Sequence, residues 1–200
     1  MSLLKYRRRF IIHRKENINY FNNYKINEDG YCEFYIINKK KEKFTVKIDT
    51  DILGKLVELN RSWNAKWAGW GYYICCCEYI GSIKGKSKYK IHYLHRWIVD
   101  ANKNEFVDHI NHDTFDNRKH NLRIVTKSKN ATHRKGANSN NKSTGVRNVT
   151  HIKQSDEYWV QFMKNGVRHK WIFPNTQFNE ACEFAIHKRK EIFGNFAGES

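Results

Sequence analysis

Residues 105–130 read EFVDHINHDTFDNRKHNLRIVTKSKN, and this stretch sets the architecture of the chain around it. Glu105-Phe106-Val107 predicts a short strand that ends at Asp108-His109. After a polar loop, residues 122–125 (LRIV) predict a second strand. Thr126 is a good N-cap, so we expect a helix to begin at Lys127. The predicted order is strand, loop, strand, helix.

The polar residues of this stretch have the chemistry that cutting a phosphodiester bond requires. A base must take a proton from water, and a cation must neutralise charge on the phosphate and on the leaving oxygen. His109 suits the base, because the free pKa of histidine lies near neutrality. Asp108 and Asn130 offer hard oxygen ligands for Mg²⁺ or Mn²⁺, and we expect the two strands and the helix to bring them together. Asn121 could hydrogen-bond the His109 ring or pin the loop.

This ordered set resembles the ββα-metal motif of the HNH homing endonucleases found in phages and self-splicing introns. Asn121 and Asn130 follow His109 by 12 and 21 residues, which is similar to the phage group. Leu94-His95-Arg96 resembles the LHR that opens the leading helix of that motif, so the resemblance covers residues 94–133. It implies His109 as general base, Asp108 and Asn130 as ligands of one divalent cation, and Asn121 as the structural asparagine of the catalytic centre.

Three details of the motif bear on the metal and on the DNA. Asn130 stands where many HNH proteins have a final histidine, which favours a hard metal and leaves Mg²⁺ or Mn²⁺ open. Arg118, in the D-N-R triplet of the loop, is a candidate DNA contact. His95 can be interpreted as a packed helix histidine or as a contact to the scissile phosphate, and we include it among the candidate DNA contacts.

The C-terminal part predicts a small DNA-binding module, residues 145–200, after a basic linker at residues 134–144. Strands are expected near residues 146–150, 158–163 and 167–173, with a hairpin turn at Asn165-Gly166 and a helix from Gln177 to Phe193. Either face of the middle strand is apolar enough to meet the helix. The expected DNA contacts are basic strand residues: Arg147, Lys164, Arg168 and Lys170.

This module resembles the DNA-binding domain named for the plant APETALA and ethylene-response-factor regulators, which also occurs behind HNH motifs in mobile endonucleases. The resemblance rests on residues 143–147 (STGVR), Tyr158-Trp159-Val160, Asn165-Gly166, residues 180–182 (EAC) and Phe193-Gly194. It implies a three-stranded sheet in the major groove with the helix behind it. The family's glycine after the third strand is absent, since Ile172-Phe173-Pro174 stands there.

The N-terminal region, residues 1–90, predicts a β-rich support for the nuclease core at residues 91–133. Two strands are expected within residues 31–48, a short helix at residues 49–59, and an amphipathic helix from Tyr93 to Ala101. Cys75 to Cys77 are interpreted as small residues of a buried strand, since three consecutive cysteines lack the spacing of a structural zinc site. The overall expectation is an α+β fold with two functional modules.

Charge identifies the class of partner. Lys and Arg number 37 against 20 Asp and Glu, a formal net charge of +17, and such an excess favours binding to a polyanion. We expect double-stranded DNA as the partner and no membrane, because no segment has 18 continuous apolar residues. The basic start lacks the apolar run of a signal peptide, and five cysteines favour a reducing compartment, so we expect a cytoplasmic protein.

Three functions can be considered from the sequence. The first is a metal-dependent DNA endonuclease of a mobile element, which nicks or cuts at preferred sites as a monomer or weak dimer. The second is a DNA-binding regulator that keeps an inactive HNH fold, against which the complete set of motif residues argues. The third is an RNA-binding protein, for which the sequence offers no RNP-type or KH-type motif.

Overall fold

The computed structural model describes residues 24–38, 41–59, 61–69 and 71–198. The chain divides into two compact units, residues 1–125 and residues 126–200, and each is described by itself. The basic start of the chain lies outside the described residues. Within them, no helix is both long enough and apolar enough to cross a membrane.

The first unit begins with an antiparallel sheet of three strands and a helix. Strands β1 (Tyr24–Ile26), β2 (Tyr31–Ile37) and β3 (Lys43–Asp49) lie in the order β1-β2-β3, and helix α1 (Thr50–Glu58) follows. Alternate strand residues are apolar and face the core, as the period of a half-buried strand requires. The buried residues from these elements are Cys32, Phe34, Ile36, Val46, Ile48, Ile52, Leu53 and Leu56.

A second antiparallel sheet extends the same core. It consists of β4 (Asn64–Trp67), β5 (Tyr72–Ile83) and β6 (Lys86–Tyr93), in the order β4-β5-β6, followed by the short helix α2 (Leu94–Ile98). Cys75 and Cys76 are buried as predicted, but Cys77 is exposed. The helix predicted over residues 93–101 is shorter, because Asp100 takes a positive φ of 48° and ends the helical path.

Residues 106–125 contain a two-stranded antiparallel sheet. Strand β7 (Phe106–His109) pairs with β8 (Leu122–Val125), so the two predicted strands are confirmed. The loop between them contacts β3: the amide of Lys47 donates to the carbonyl of Phe115 (2.9 Å), and the amide of Asn117 donates to the carbonyl of Lys47 (2.8 Å). The predicted support region and these two strands therefore fold as one unit.

The second unit starts with the helix predicted after the strands. Helix α3 (Lys127–Thr132) begins where expected, and the Thr126 side chain accepts from the amide of Lys129. This places the division between units at residues 125 and 126, inside the predicted nuclease core and ahead of the predicted linker. The end of that linker is ordered, since Thr144 donates through its hydroxyl to the carbonyl of Val149 (2.6 Å).

The rest of the second unit is a sheet backed by a helix. Strands β9 (Val149–Ile152), β10 (Glu157–Lys164) and β11 (Val167–Pro174) lie in the order β11-β10-β9, and α4 (Phe178–Phe193) follows. The Asn165-Gly166 turn is confirmed by positive φ angles of 52° and 79°. The first strand starts three residues later than predicted. The core contains Val149, Val160, Phe162, Ala181 and Ala185, so the face of β10 that carries Val160 and Phe162 packs on the helix.

Candidate active site

Asp108 and His109 lie side by side at the end of β7 and are both buried. The exposed fraction is 8% for Asp108 and 5% for His109. In the pairing of β7 with β8, Asp108 lies opposite Arg123 and His109 lies opposite Leu122. The strand pair therefore holds these two consecutive residues in a buried part of the first unit, where the dielectric is low.

One nitrogen of the His109 ring contacts the buried side chain of Asn117. Nε2 of His109 lies 3.4 Å from Oδ1 of Asn117, and the Asn117 amide nitrogen donates to the carbonyl of Thr114 (3.1 Å). The second bond fixes which end of the Asn117 amide faces the histidine. Nε2–H of a neutral ring then donates to Asn117, and Nδ1 keeps its lone pair. Sequence reasoning noticed the D-N-R triplet but gave Asn117 no role.

Two further aromatic rings lie near the His109 ring. The His95 ring lies 5.2 Å away, centroid to centroid, and the Tyr73 ring lies 6.2 Å away. Burial lowers the pKa of His109, although the hydrogen bond with Asn117 and the charges of nearby carboxylates oppose that effect. The ring is consequently neutral at neutral pH and able to accept a proton.

His95 is a packed histidine within this aromatic group. It is 7% exposed, and the rings of Tyr73 and Tyr93 lie 5.4 and 5.7 Å from its own. Burial, together with the neighbouring His109 and Arg96, lowers the pKa of His95 to about 3. A neutral buried ring carries no charge for a phosphate, so the structure favours the packed-histidine interpretation over the DNA contact.

Asn121 pins the loop between the two strands. Its Oδ1 accepts from the amide of Asn111 (3.0 Å), and its Nδ2 donates to Asn111 Oδ1 (2.9 Å) and to the carbonyl of Asp116 (2.7 Å). All three bonds join Asn121 to residues of the loop. They agree with the role of pinning the loop, which the sequence had left open beside a hydrogen bond to the His109 ring. A loop held at both ends keeps the residues around His109 in one arrangement.

Arg118 is engaged within the same loop. Its guanidinium makes two hydrogen bonds to the buried Asp116 carboxylate, at 2.7 and 2.6 Å, and lies 4.9 Å above the Tyr31 ring. Burial alone would raise the pKa of Asp116, but the bonds and charge of Arg118 hold it below its usual value. Arg118 therefore has a structural partner, which argues against its availability as the predicted DNA contact.

Asp108 is paired with Arg123, which bears on a metal site. Nε and Nη2 of Arg123 lie 2.8 and 2.7 Å from the carboxylate, and both contacts go to the same oxygen, Oδ2. Among the described residues, no group of three histidines, cysteines or carboxylates is placed to hold a metal. A carboxylate oxygen is nevertheless a suitable ligand for Mg²⁺ or Mn²⁺. Asn130 lies in α3, in the second unit.

The residues predicted to grip DNA in the second unit divide into two groups. Lys164, Arg168 and Lys170 are exposed on the β10–β11 hairpin, with the Lys170 ammonium 3.2 Å from the centroid of the Trp159 ring. Arg147 is different, because it is 5% exposed and its guanidinium donates to the carbonyls of Thr132, Arg134 and Ala197. These contacts give Arg147 a structural role and argue against its availability as the predicted DNA contact.

Comparison with known proteins gives one line of support. Over 125 residues the chain is 31% identical to an uncharacterized HNH endonuclease of Acanthamoeba polyphaga mimivirus, a match that covers 56% of this chain and 63% of that relative. The chain thus matches less than two thirds of the relative's length. No protein-family profile matches the chain, and no solved structure matches it. The similarity supports the HNH part of the resemblance and does not extend to the family of the C-terminal module.

Proposed function

We propose that this protein is a metal-dependent endonuclease of the HNH type that hydrolyses phosphodiester bonds in double-stranded DNA. The observation that carries the proposal is the buried His109 ring, held at Nε2 by Asn117 and preceded in β7 by the buried Asp108. The similarity to a viral protein named as an HNH endonuclease supports the same class of reaction. The net charge of +17 supports a nucleic acid as the substrate.

His109 is the general base in this proposal. Its Nδ1 accepts a proton from a water molecule while the water oxygen attacks phosphorus and the bond from phosphorus to the leaving sugar oxygen breaks. The leaving oxygen takes a proton from solvent. Burial favours the neutral ring, and the bond from Nε2 to Asn117 orients the lone pair of Nδ1.

Asn121 and Asn117 are positioning residues. Asn121 fixes the start of the loop to its end, and Asn117 fixes the ring that the loop surrounds. A reacting group that is already held in the reactive orientation loses less entropy on reaching the transition state. In well-oriented systems this lowers the activation free energy by several kcal/mol. The bidentate pair of Arg118 with Asp116 stiffens the middle of the same loop.

Asp108 is proposed as a ligand of one divalent cation, Mg²⁺ or Mn²⁺. When bound, the cation would neutralise negative charge on the phosphate and on the leaving oxygen. Arg123 forms an ion pair with this carboxylate, with Nη2 at 2.7 Å from Oδ2. Asn130 stays a prediction from the sequence as the second ligand.

The second unit is proposed as the DNA-gripping module, of the APETALA type that the sequence resembles. Lys164, Arg168 and Lys170 are exposed on one hairpin and are its proposed DNA contacts. One catalytic centre cuts one strand at a time, so a monomer would nick and a weak dimer or a second event would cut both strands. A homing or mobile-element role belongs to this proposal as well.

The test is incubation of the full chain with supercoiled plasmid, in Mg²⁺, in Mn²⁺ and in EDTA. We expect nicked plasmid with either metal and none in EDTA. His109→Ala should abolish nicking and leave DNA affinity near that of the wild type, because the base acts only in the chemical step. His120→Ala, an exposed histidine of the same loop, is the matched control. Binding without any metal-dependent nicking would favour a DNA-binding regulator instead.

A further inference from the structure

Beyond the core of the first unit, β5 and β6 continue as a two-stranded ribbon, residues 79–91. Every residue of this ribbon is exposed except Gly81, so neither of its faces is covered. The strands are joined by a tight turn at Lys84-Gly85, where φ is 50° and 74°. A bulge between Tyr79 and Gly81 adds to the right-handed twist.

The ribbon is strongly basic, and most of the charge lies on one face. It contains Lys84, Lys86, Lys88 and Lys90 and no acidic residue. Because side chains alternate along a strand, Lys86, Lys88 and Lys90 of β6 point to the same side, about 6.7 Å apart. Glu78 lies opposite Lys90 but is engaged by Arg61 and His92, and among the described residues no carboxylate forms an ion pair with any of these three lysines. The row therefore presents three positive charges over about 13 Å.

The opposite face stabilises the ribbon without help from the core. Tyr79 and Tyr89 are directly paired across the strands, and their rings lie 5.7 Å apart in an edge-on arrangement. Cross-strand aromatic pairs contribute up to about 1 kcal/mol, which matters because a two-stranded ribbon alone is only marginally stable. The ribbon thus keeps its shape while leaving its lysines in solvent.

The ribbon is rooted at the candidate active site. Tyr73 of β5, six residues before the ribbon, lies near the His109 ring, and Tyr93 of β6, two residues after it, lies near the His95 ring. From Tyr93 to Lys86 the strand rises by about 23 Å. Anything bound along the ribbon would therefore extend away from His109, over less than one turn of a DNA duplex.

We propose that the ribbon is a second DNA-gripping element, which lies in a groove of the duplex beside the cleavage position with Lys86, Lys88 and Lys90 on phosphates. The major groove of DNA is about 12 Å wide and admits a two-stranded antiparallel ribbon. The row of lysines complements the phosphate backbone, and β5 and β6 connect the ribbon to the rings of Tyr73 and Tyr93 beside His109 and His95. This inference rests on the proposed function, since it takes double-stranded DNA as the substrate.

The test compares two triple variants of the full chain that lose the same charge. Lys86→Gln, Lys88→Gln and Lys90→Gln together remove the row, while Lys25→Gln, Lys55→Gln and Lys103→Gln remove three exposed lysines elsewhere in the first unit. The affinity for a short duplex is measured in EDTA, which prevents cutting, at salt concentrations from about 50 to about 200 mM. Thermal unfolding checks that both variants are folded.

We expect the ribbon variant to bind at least about tenfold more weakly and its plot of log affinity against log salt to be shallower by about 2.7, the value for three phosphates. The scattered variant should change little in slope. Replacing the three lysines by arginine should restore both readouts. Equal losses in the two triple variants would overturn the proposal, because the effect would then be one of net charge alone.

Two further outcomes distinguish DNA binding by the ribbon from protection against self-association and from the proposed nuclease function. If the ribbon variant self-associates in sedimentation while its DNA affinity is unchanged, the lysines serve only to keep an edge strand from pairing with another copy, and the proposal fails. If wild type binds DNA through the ribbon but never nicks plasmid in Mg²⁺ or Mn²⁺, the proposed nuclease function fails while the ribbon proposal stands.

Discussion

The His109 ring is held at one nitrogen by Asn117, whose amide is fixed in turn by the carbonyl of Thr114. The hydrogen bond assigns the proton of the neutral ring to Nε2 and the lone pair to Nδ1. This arrangement makes the chemistry of His109 sensitive to what stands at position 117. A carboxylate there would stabilise the imidazolium form, because an opposite charge within a few ångströms favours the charged state.

The first prediction follows from that sensitivity. Asn117→Asp keeps an acceptor for Nε2–H but adds a negative charge, so the pKa of His109 should rise and the acid limb of the pH–rate profile for nicking should move to higher pH. The profile of kcat against pH for wild type and variant measures the shift. Asn104→Asp, at an exposed turn of the same unit, is the control. An unmoved limb with a uniformly lower rate would mean that Asn117 matters only for folding.

The loop between β7 and β8 depends on one buried amide. Asn121 is 3% exposed, and its side chain bonds a backbone amide, a backbone carbonyl and another asparagine. No other residue type has a donor and an acceptor in that geometry, so the loop has no simple substitute for it. The short strands on either side offer little packing to replace these bonds.

The second prediction concerns the stability of this loop. Asn121→Ala should lower the free energy of unfolding by about 1–3 kcal/mol, because it leaves buried backbone groups without partners. It should also reduce the nicking rate in Mg²⁺, since the loop orders the surroundings of His109. Denaturant unfolding of the variant measures the first effect. Asn104→Ala serves as control, and a variant as stable as the wild type would contradict the pinning role.

Stability of the molecule should depend on pH through its buried histidines. His95 has a folded pKa of about 3, and its neighbours are Tyr73, Tyr93, His109 and the cation of Arg96. In the unfolded chain its pKa returns to about 6.5. Between these two values the unfolded state binds more protons, so the free energy of unfolding rises with pH in this window.

The third prediction is acid destabilisation that starts below about pH 6.5. His95 should cost about 1.4 kcal/mol for each pH unit below that point, and its contribution should end near pH 3. His109, with its lowered pKa, acts in the same direction. Urea unfolding at pH 7, 6 and 5 measures the slope. His95→Phe should flatten it, whereas the exposed His120→Ala should not; equal slopes in all three proteins would contradict the assignment.

The fourth prediction tests the division of work between the two units. Lys164→Gln, Arg168→Gln and Lys170→Gln together should weaken DNA binding and flatten its salt dependence by about 2.7. The nicking rate at saturating protein should stay near that of wild type, because none of these three residues is a proposed catalytic or metal-binding residue. Lys127→Gln, Lys153→Gln and Lys190→Gln, exposed in the same unit, form the control. An unchanged affinity would remove the β10–β11 hairpin from the proposed DNA contacts.

Local patterns in the sequence determined the elements of this protein. The order strand, loop, strand, helix across residues 106–132, the Asn165-Gly166 turn and helix α4 all follow from neighbours within a few residues: an N-cap, a turn dipeptide, an alternation. The candidate pair Asp108-His109 could also be found in this way, because the two residues are adjacent. Such signals need no knowledge of the rest of the chain.

The tertiary structure decided which partners each side chain has. It brought Asn117 and His95 to the His109 ring, used Asn121 to pin a loop, buried the guanidinium of Arg147, and chose the face of β10 that meets the helix. Each of these depends on contacts between residues far apart in sequence or on competition for a limited interior. Burial is a property of the folded whole, so a charge pattern along the chain could not tell an exposed arginine from a buried one.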